Sequence, residues 1–242
     1  MENSAILTHM TLTDFFDRIY ILNLPYRADR REAAIKELRD VSIHLEAGKV
    51  EVFPAIKPET IEPFHKLGSK GCFLSVLKML KQSRAQGGGH VLIFQDDIQF
   101  PPFFKKEIGS LLKQLDEQPW DIAQFGYLSI ESVDPAELNV PFGTWKDMPN
   151  IAIGAHFFAV NGQSLDRYIH FLEGLLTRPR DHAQGGPMPI DGTFAVFRQL
   201  NPDVVRLISM PSFGDQRSSR SDITPRWFDK IPLVSTLAEL CR

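Results

Sequence analysis

Asp96 and Asp97 are the residues whose placement most invites chemistry. They follow the apolar run Val91-Leu92-Ile93-Phe94, with Gln95 between run and acids. Two adjacent carboxylates repel each other and need compensation, most simply a divalent cation. A hard ion there bridges to phosphate oxygens and stabilises a diphosphate leaving group as its charge develops. Capping of a helix near Pro101, or pairing with nearby arginines, would satisfy the same acids without any chemistry. A second polar stretch, Asn23-Leu24-Pro25-Tyr26-Arg27-Ala28-Asp29-Arg30-Arg31, carries three arginines able to contact a diphosphate. Arg31 reads better as part of a solvated helix start. Gly87-Gly88-Gly89 precedes a strand, so it is no phosphate-cradling loop.

Placing those residues requires strands that end at them. Ile19 to Leu24 reads as a strand buried on both faces. Asp29 and Glu32 have capping-box spacing, which predicts a helix from there to about Arg39. Val50–Phe53 is a short strand, and Ser69–Arg84 a helix with Cys72, Phe73, Val76, Leu77 and Leu80 on one face. Pro101 and Pro102 suit the first turn of a helix with a stripe from Phe104 to Leu115. Ile122–Phe125, Ile151–Val160 and Val204–Ile208 read as further strands, with a helix through Leu165, Ile169 and Leu172. Residues 126–150 and 177–187 read as loops, as does the polar stretch from Pro211 to Pro225. Alternating apolar runs and helical periods predict an α/β layer with a mostly parallel sheet. Such a sheet binds ligands beyond its strands' carboxyl ends, where Asp96 and Asp97 fall.

Bulk composition narrows the class. The 242 residues suffice for one α/β domain, and 43% hydrophobic with 24% charged residues is ordinary for a globular chain. A net charge of -3 argues against nucleic acid as partner. Cys72 and Cys241 are far apart, which argues against a disulfide framework or zinc site and fits a reducing cytoplasm. No signal peptide or apolar span of about 20 residues is seen. The expected location is therefore cytoplasmic, with peripheral attachment at the inner membrane face left open.

The ordered motifs resemble glycosyltransferase family 25, which includes lipopolysaccharide, lipooligosaccharide and collagen galactosyltransferases. Ile19–Leu24 with Arg27, Asp29, Arg30 and Arg31 resembles its opening motif. Gly71-Cys72-Phe73-Leu74-Ser75 is similar to its Gly-Cys-x-x-Ser-His helix, and Val91–Ile98 to its strand ending in Glu-Asp-Asp. Trp120-Asp121-Ile122 with Gly126, Gly154–Val160, Pro189-Ile190-Asp191, and Gln216 with Ser221-Asp222-Ile223 resemble its later blocks.

The resemblance implies a GT-A-like single domain over residues 19–225, a Rossmann-like nucleotide-binding layer, with a 1–18 extension and a 226–242 tail packing on it. It also implies a UDP-sugar donor, often UDP-galactose, a divalent ion such as Mn²⁺ or Mg²⁺, a carbohydrate acceptor, and inversion at the anomeric carbon. On that reading Asp97 and Asp96 face the metal. Asn23, Leu24, Arg27, Arg30, Asp96, Gln216 and Ser221 bind the donor, and Asp191 is the general base, against the alternative of a plain helix N-cap. Lipopolysaccharide or another cell-surface glycan is the expected product.

Two residues depart from the family. Gln95 stands where it has an acid, and Val76 where it has a histidine, so weaker metal binding is expected. These departures keep open a non-catalytic sugar-nucleotide or glycan binder. Acidic strand ends also serve metal-dependent phosphatases and nucleotidyltransferases. His156 reads as a satisfied core histidine and Cys72 as helix core. Acceptor specificity is expected in residues 126–150 and 177–187.

Overall fold

The computed structural model describes residues 10–217. Its strands are β1 (Arg18–Asn23), β2 (Val50–Pro54), β3 (Val91–Gln95), β4 (Ile98–Gln99), β5 (Ile122–Gly126), β6 (Ser129–Ile130), β7 (Thr144–Asp147), β8 (Ala152–Ile153), β9 (Phe157–Val160), β10 (Arg206–Met210) and β11 (Asp215–Gln216). Its α-helices are α1 (Leu12–Phe15), α2 (Ala28–Asp40), α3 (Leu67–Ala85), α4 (Phe104–Asp116), α5 (Leu165–Thr177) and α6 (Ile190–Leu200).

Seven strands form the central sheet in the order β2-β1-β3-β9-β5-β10-β7. β1, β2, β3, β5 and β10 run one way, while β9 and β7 run antiparallel to their neighbours. The sheet is mostly parallel and flanked by helices, as expected of an α/β, GT-A-like layer. Alternating side chains divide the core between its two faces. Tyr20, Leu22, Val91, Ile93, Phe158 and Val160 pack with α3, α5 and α6. Ile19, Ile21, Leu92, Phe94, Phe157 and Ala159 pack with α1, α2 and α4. Leu12 and Phe16 are buried in that second core, so the chain joins the packed layer before the first strand.

Several local expectations are corrected. Helix α2 starts at Ala28 with Arg27 at its cap position and no side-chain cap, because Asp29 turns back to the Arg27 guanidinium. Pro101 and Pro102 precede α4 in a turn closed by Phe104 N–H on Pro101 O. The 126–150 stretch supplies β7, which extends the central sheet through β10. The strand expected over 151–160 is broken at Gly154. β8 pairs with β6 in a separate ribbon, and β9 alone enters the main sheet. Among the described residues no helix is long and apolar enough to cross a membrane.

Candidate active site

The carboxyl ends of β1 and β3 lie side by side in parallel register, with Leu22 opposite Gln95. That pairing sets Asn23 beside Asp96, although they are 73 positions apart. The buried Asn23 side chain donates through Nδ2 to Asp96 Oδ2 at 2.7 Å and to the Arg27 carbonyl at 3.1 Å. One amide thereby fixes both the acid and the turn into α2. Arg30, on the first turns of α2, donates to Asp96 Oδ1 at 3.1 Å and lies 3.7 Å from Asp97 Oδ2. A single guanidinium thus offsets the mutual repulsion of the acidic pair.

Asp97 is the less settled of the two. Among the described residues its buried Oδ1 has no hydrogen-bond partner. Burial pushes its carboxyl up to about 6; Arg30 opposes the shift and Asp96 adds to it. An acid desolvated this far, with one oxygen lacking a donor, has the chemistry of a cation ligand. Both Asp96 oxygens already accept hydrogen bonds, so it is less free to turn toward an ion. Among the described residues no group of three or more Asp, Glu, His or Cys gathers around a common point. The two carboxylates alone are too few to enclose an ion, and Asp97 has the oxygen less engaged by protein donors.

Gln95 faces the other side of this strand end. Its amide donates to Ala155 O at 3.1 Å and approaches Cys72 Sγ at 3.7 Å, while its Oε1 accepts from Gln216 Nε2 at 3.3 Å. A glutamate here could not donate to Ala155 O. β11 brings Gln216 in by pairing with β4, and Arg217 N–H donates to Asp97 O at 2.6 Å. The Arg217 guanidinium meets Ile98 O at 3.1 Å and Glu37 at 3.5 Å.

Asp191 comes to the same region from α6. Pro189 takes the cap position, so the N-cap reading is set aside. Asp191 Oδ2 accepts from Gly154 N–H at 2.9 Å and Oδ1 from Gly192 N–H at 3.0 Å. Gly154 sits at φ +104°, a backbone state that glycine adopts without strain. Cys72 lies within electrostatic range of both Asp191 and Asp97, and burial with these two anions pushes its thiol up to about 12. That direction fits Cys72 as part of the helix packing, where it lies against the buried core around α3, α5 and α6.

The structure therefore brings Asn23, Arg30, Asp96, Asp97 and Gln216 together around the strand ends, with Asp191 nearby across Cys72. Leu24 is half-buried in the turn after β1. Arg27, its side chain largely buried, is paired with the exposed Asp29 at 2.9 Å. Ser221 lies outside the described residues.

Other motif residues prove architectural. Ser75 Oγ donates to Gly71 O and accepts from Ile56 N–H at 2.8 Å, and a Cβ on Gly71 would stand 2.6 Å from Ile56 O. Val76 is buried in the core. Asp121 accepts from Val205 N–H at 2.7 Å and from Ser164 Oγ. His156 is only half satisfied: Nε2 bonds Gly214 O at 2.7 Å, and buried Nδ1 has no partner. Sequence reasoning passed over Gln124 and Arg206, both wholly buried. Each is a polar residue inside an apolar strand, a signal that was there to be read.

No family model matches the chain. Procollagen galactosyltransferase 1 of Danio rerio is 30% identical over 145 residues, covering 52% of this chain and 24% of its own length. Procollagen galactosyltransferase 1-B of Xenopus laevis is 27% identical over 205 residues, covering 77% of this chain and 32% of its own. The chain thus spans a third or less of the length of these relatives. A solved glycosyltransferase involved in glycosylation of the major capsid of PBCV-1 superposes with a TM-score of 0.46 at 14% identity, over 80% of this chain and 82% of its own, a likeness too loose to argue from. The relatives that this sequence resembles are members of glycosyltransferase family 25.

Proposed function

We propose that this chain is a glycosyltransferase that moves a sugar, galactose being the first choice, from a UDP-sugar to a hydroxyl of a glycan acceptor with inversion. The observation that carries this reading is the Asn23-Arg30-Asp96-Asp97 cluster beyond two parallel strands, with Asp97 Oδ1 buried and lacking a donor. An open α/β sheet binds nucleotides at this place. The family resemblance supplies the donor class.

In the reaction, Asp191 accepts the proton of the acceptor hydroxyl as its oxygen bonds to the anomeric carbon. The bond from that carbon to the diphosphate oxygen breaks, and its electron pair leaves with UDP. Asn23 and Arg30 hold Asp96 so that it can orient the donor. Gln216 and Arg217 enclose the strand end from the β11 side. Mn²⁺ or Mg²⁺ held by Asp97, with Asp96 beside it, would supply charge neutralisation for the departing diphosphate.

A second reading, a sugar-nucleotide binder without turnover, is favoured by Gln95, whose amide is built into the contacts with Ala155 and Gln216 in place of an acid. The two readings separate on one assay. The transferase reading predicts UDP release from UDP-galactose with Mn²⁺, and its loss in Asp97→Ala while that variant stays folded. UDP binding without release supports the binder. Hydrolysis of a simple phosphate ester without UDP binding would discard both for a phosphatase.

A further inference from the structure

Arg206 is a wholly buried cation on β10 that pairs with no carboxylate among the described residues. A buried charge of this kind is costly unless its hydrogen bonds are well used. Its guanidinium donates to Asn150 O, to Met148 O at 3.4 Å, and to Gln124 Oε1 at 2.7 Å. Gln124, on β5, turns its Nε2 to Ala152 O at 3.3 Å and Gly154 O at 2.5 Å.

The four acceptors fall on one register. Carbonyls 148, 150, 152 and 154 are alternate positions of one segment, and alternate carbonyls of an extended chain point the same way. Two side chains from the central sheet therefore do what a neighbouring strand's backbone would do. They pin the 148–154 segment along its length, and Gly154 N–H at its end holds Asp191 Oδ2 at 2.9 Å.

We propose that Arg206 and Gln124 are positioning residues that set the 148–154 segment and, through Gly154, the place of the Asp191 carboxylate. Neither approaches the reacting atoms itself. A guanidinium can donate to three carbonyl oxygens at once, which an aliphatic residue in β10 cannot do; of its own nitrogens only the buried Nε lacks a partner among the described residues. Arg206 also lies within electrostatic range of Asp191. The proposal rests on Asp191 as the general base.

Three measurements on Arg206→Met, Arg206→Lys and Gln124→Leu test it in the full chain: amide hydrogen exchange over 148–154, UDP affinity, and UDP release from UDP-galactose with Mn²⁺. Exchange is read against β9 as an internal standard, and turnover is normalised to folded protein. In Arg206→Met, exchange at Gly154 should rise about 10-fold or more and turnover fall about 10-fold, with UDP affinity within about twofold of the parent. Arg206→Lys should recover much of both, because an ammonium still reaches a carbonyl. Gln124→Leu should loosen 152–154 and slow turnover in the same way, and it serves if Arg206→Met does not fold. Unchanged exchange over 148–154 in the folded variants overturns the proposal. So does loosened exchange with parental turnover while Asp191→Asn is impaired. Parental turnover in Asp191→Asn instead overturns the base assignment on which the proposal rests.

Discussion

The two carboxylate regions of this site are held by opposite means. At the ends of β1 and β3, side chains hold side chains: an amide and a guanidinium fix Asp96, and Asp97 keeps a buried oxygen without a donor. At the start of α6, backbone holds the acid, with both Asp191 oxygens on glycine N–H groups. On the proposed function, the first region would offer charge to an incoming diphosphate and its cation. The second offers a fixed position and a free lone pair. A donor with a large charge calls for the former, and transfer of one proton over a short distance calls for the latter.

The strongest way to break this contrast is Asp191→Asn. It should lower turnover by about 10²-fold or more while leaving UDP affinity within about twofold, because only the proton acceptor is lost. Parental turnover would remove Asp191 from the chemistry and leave the donor end standing alone.

Next in size is the pH dependence of stability. Folding raises the Asp97 carboxyl from 3.8 to about 6, so the folded state binds this proton more tightly than the unfolded chain does. Stability should therefore fall as pH rises from about 4 to about 6, by at most about 3 kcal/mol, and stay low above that. Asp97→Asn should flatten this fall and melt higher than the parent at pH 7, with the difference closing near pH 4. Melting curves against pH for both proteins check it; an equal slope in each would show that Asp97 carries no such strain. Mn²⁺ selects the ionised carboxylate, so it should stabilise the parent more at pH 7.5 than at pH 5.5.

Smaller again is Asn23→Ala, which leaves buried Asp96 Oδ2 without its amide donor. It should cost about 1–3 kcal/mol by denaturant unfolding and weaken UDP binding. Last comes Gly71→Ala, which should touch stability alone. Its Cβ would meet Ile56 O at 2.6 Å, so stability should fall by about 1–3 kcal/mol with UDP affinity unchanged. Asn23→Ala touches the donor end and Gly71→Ala only the frame, so UDP affinity is the reading that distinguishes them.

The strand ends that carry Asn23, Asp96 and Asp97 were legible in the sequence. An apolar run ending in two acids, beside another ending in Asn23, is already a statement about strand ends in a parallel sheet. The fate of the arginines was not legible. Arg27 pairs with Asp29 and Arg30 with the acids, a division that nothing in the run of arginines announces. Motif membership also did not separate chemistry from architecture. Gly71 and Ser75 clamp the segment after β2 to α3, and Asp121 ties β5 to β10, all through backbone groups that a sequence does not display. The break at Gly154 was hidden because apolar residues on both sides suit a continuous strand. The backbone there turns to φ +104°, and a Cβ would stand 3.1 Å from the His156 ring, so glycine fits.

The most direct test of the donor site is the thermal shift of the parent and Asp97→Asn with UDP, each with and without Mn²⁺. The account predicts that UDP and Mn²⁺ together stabilise the parent by more than the sum of their separate shifts, and that Asp97→Asn loses this excess. An excess that is equal in the variant, or a parent that gains nothing from UDP with Mn²⁺, would contradict it.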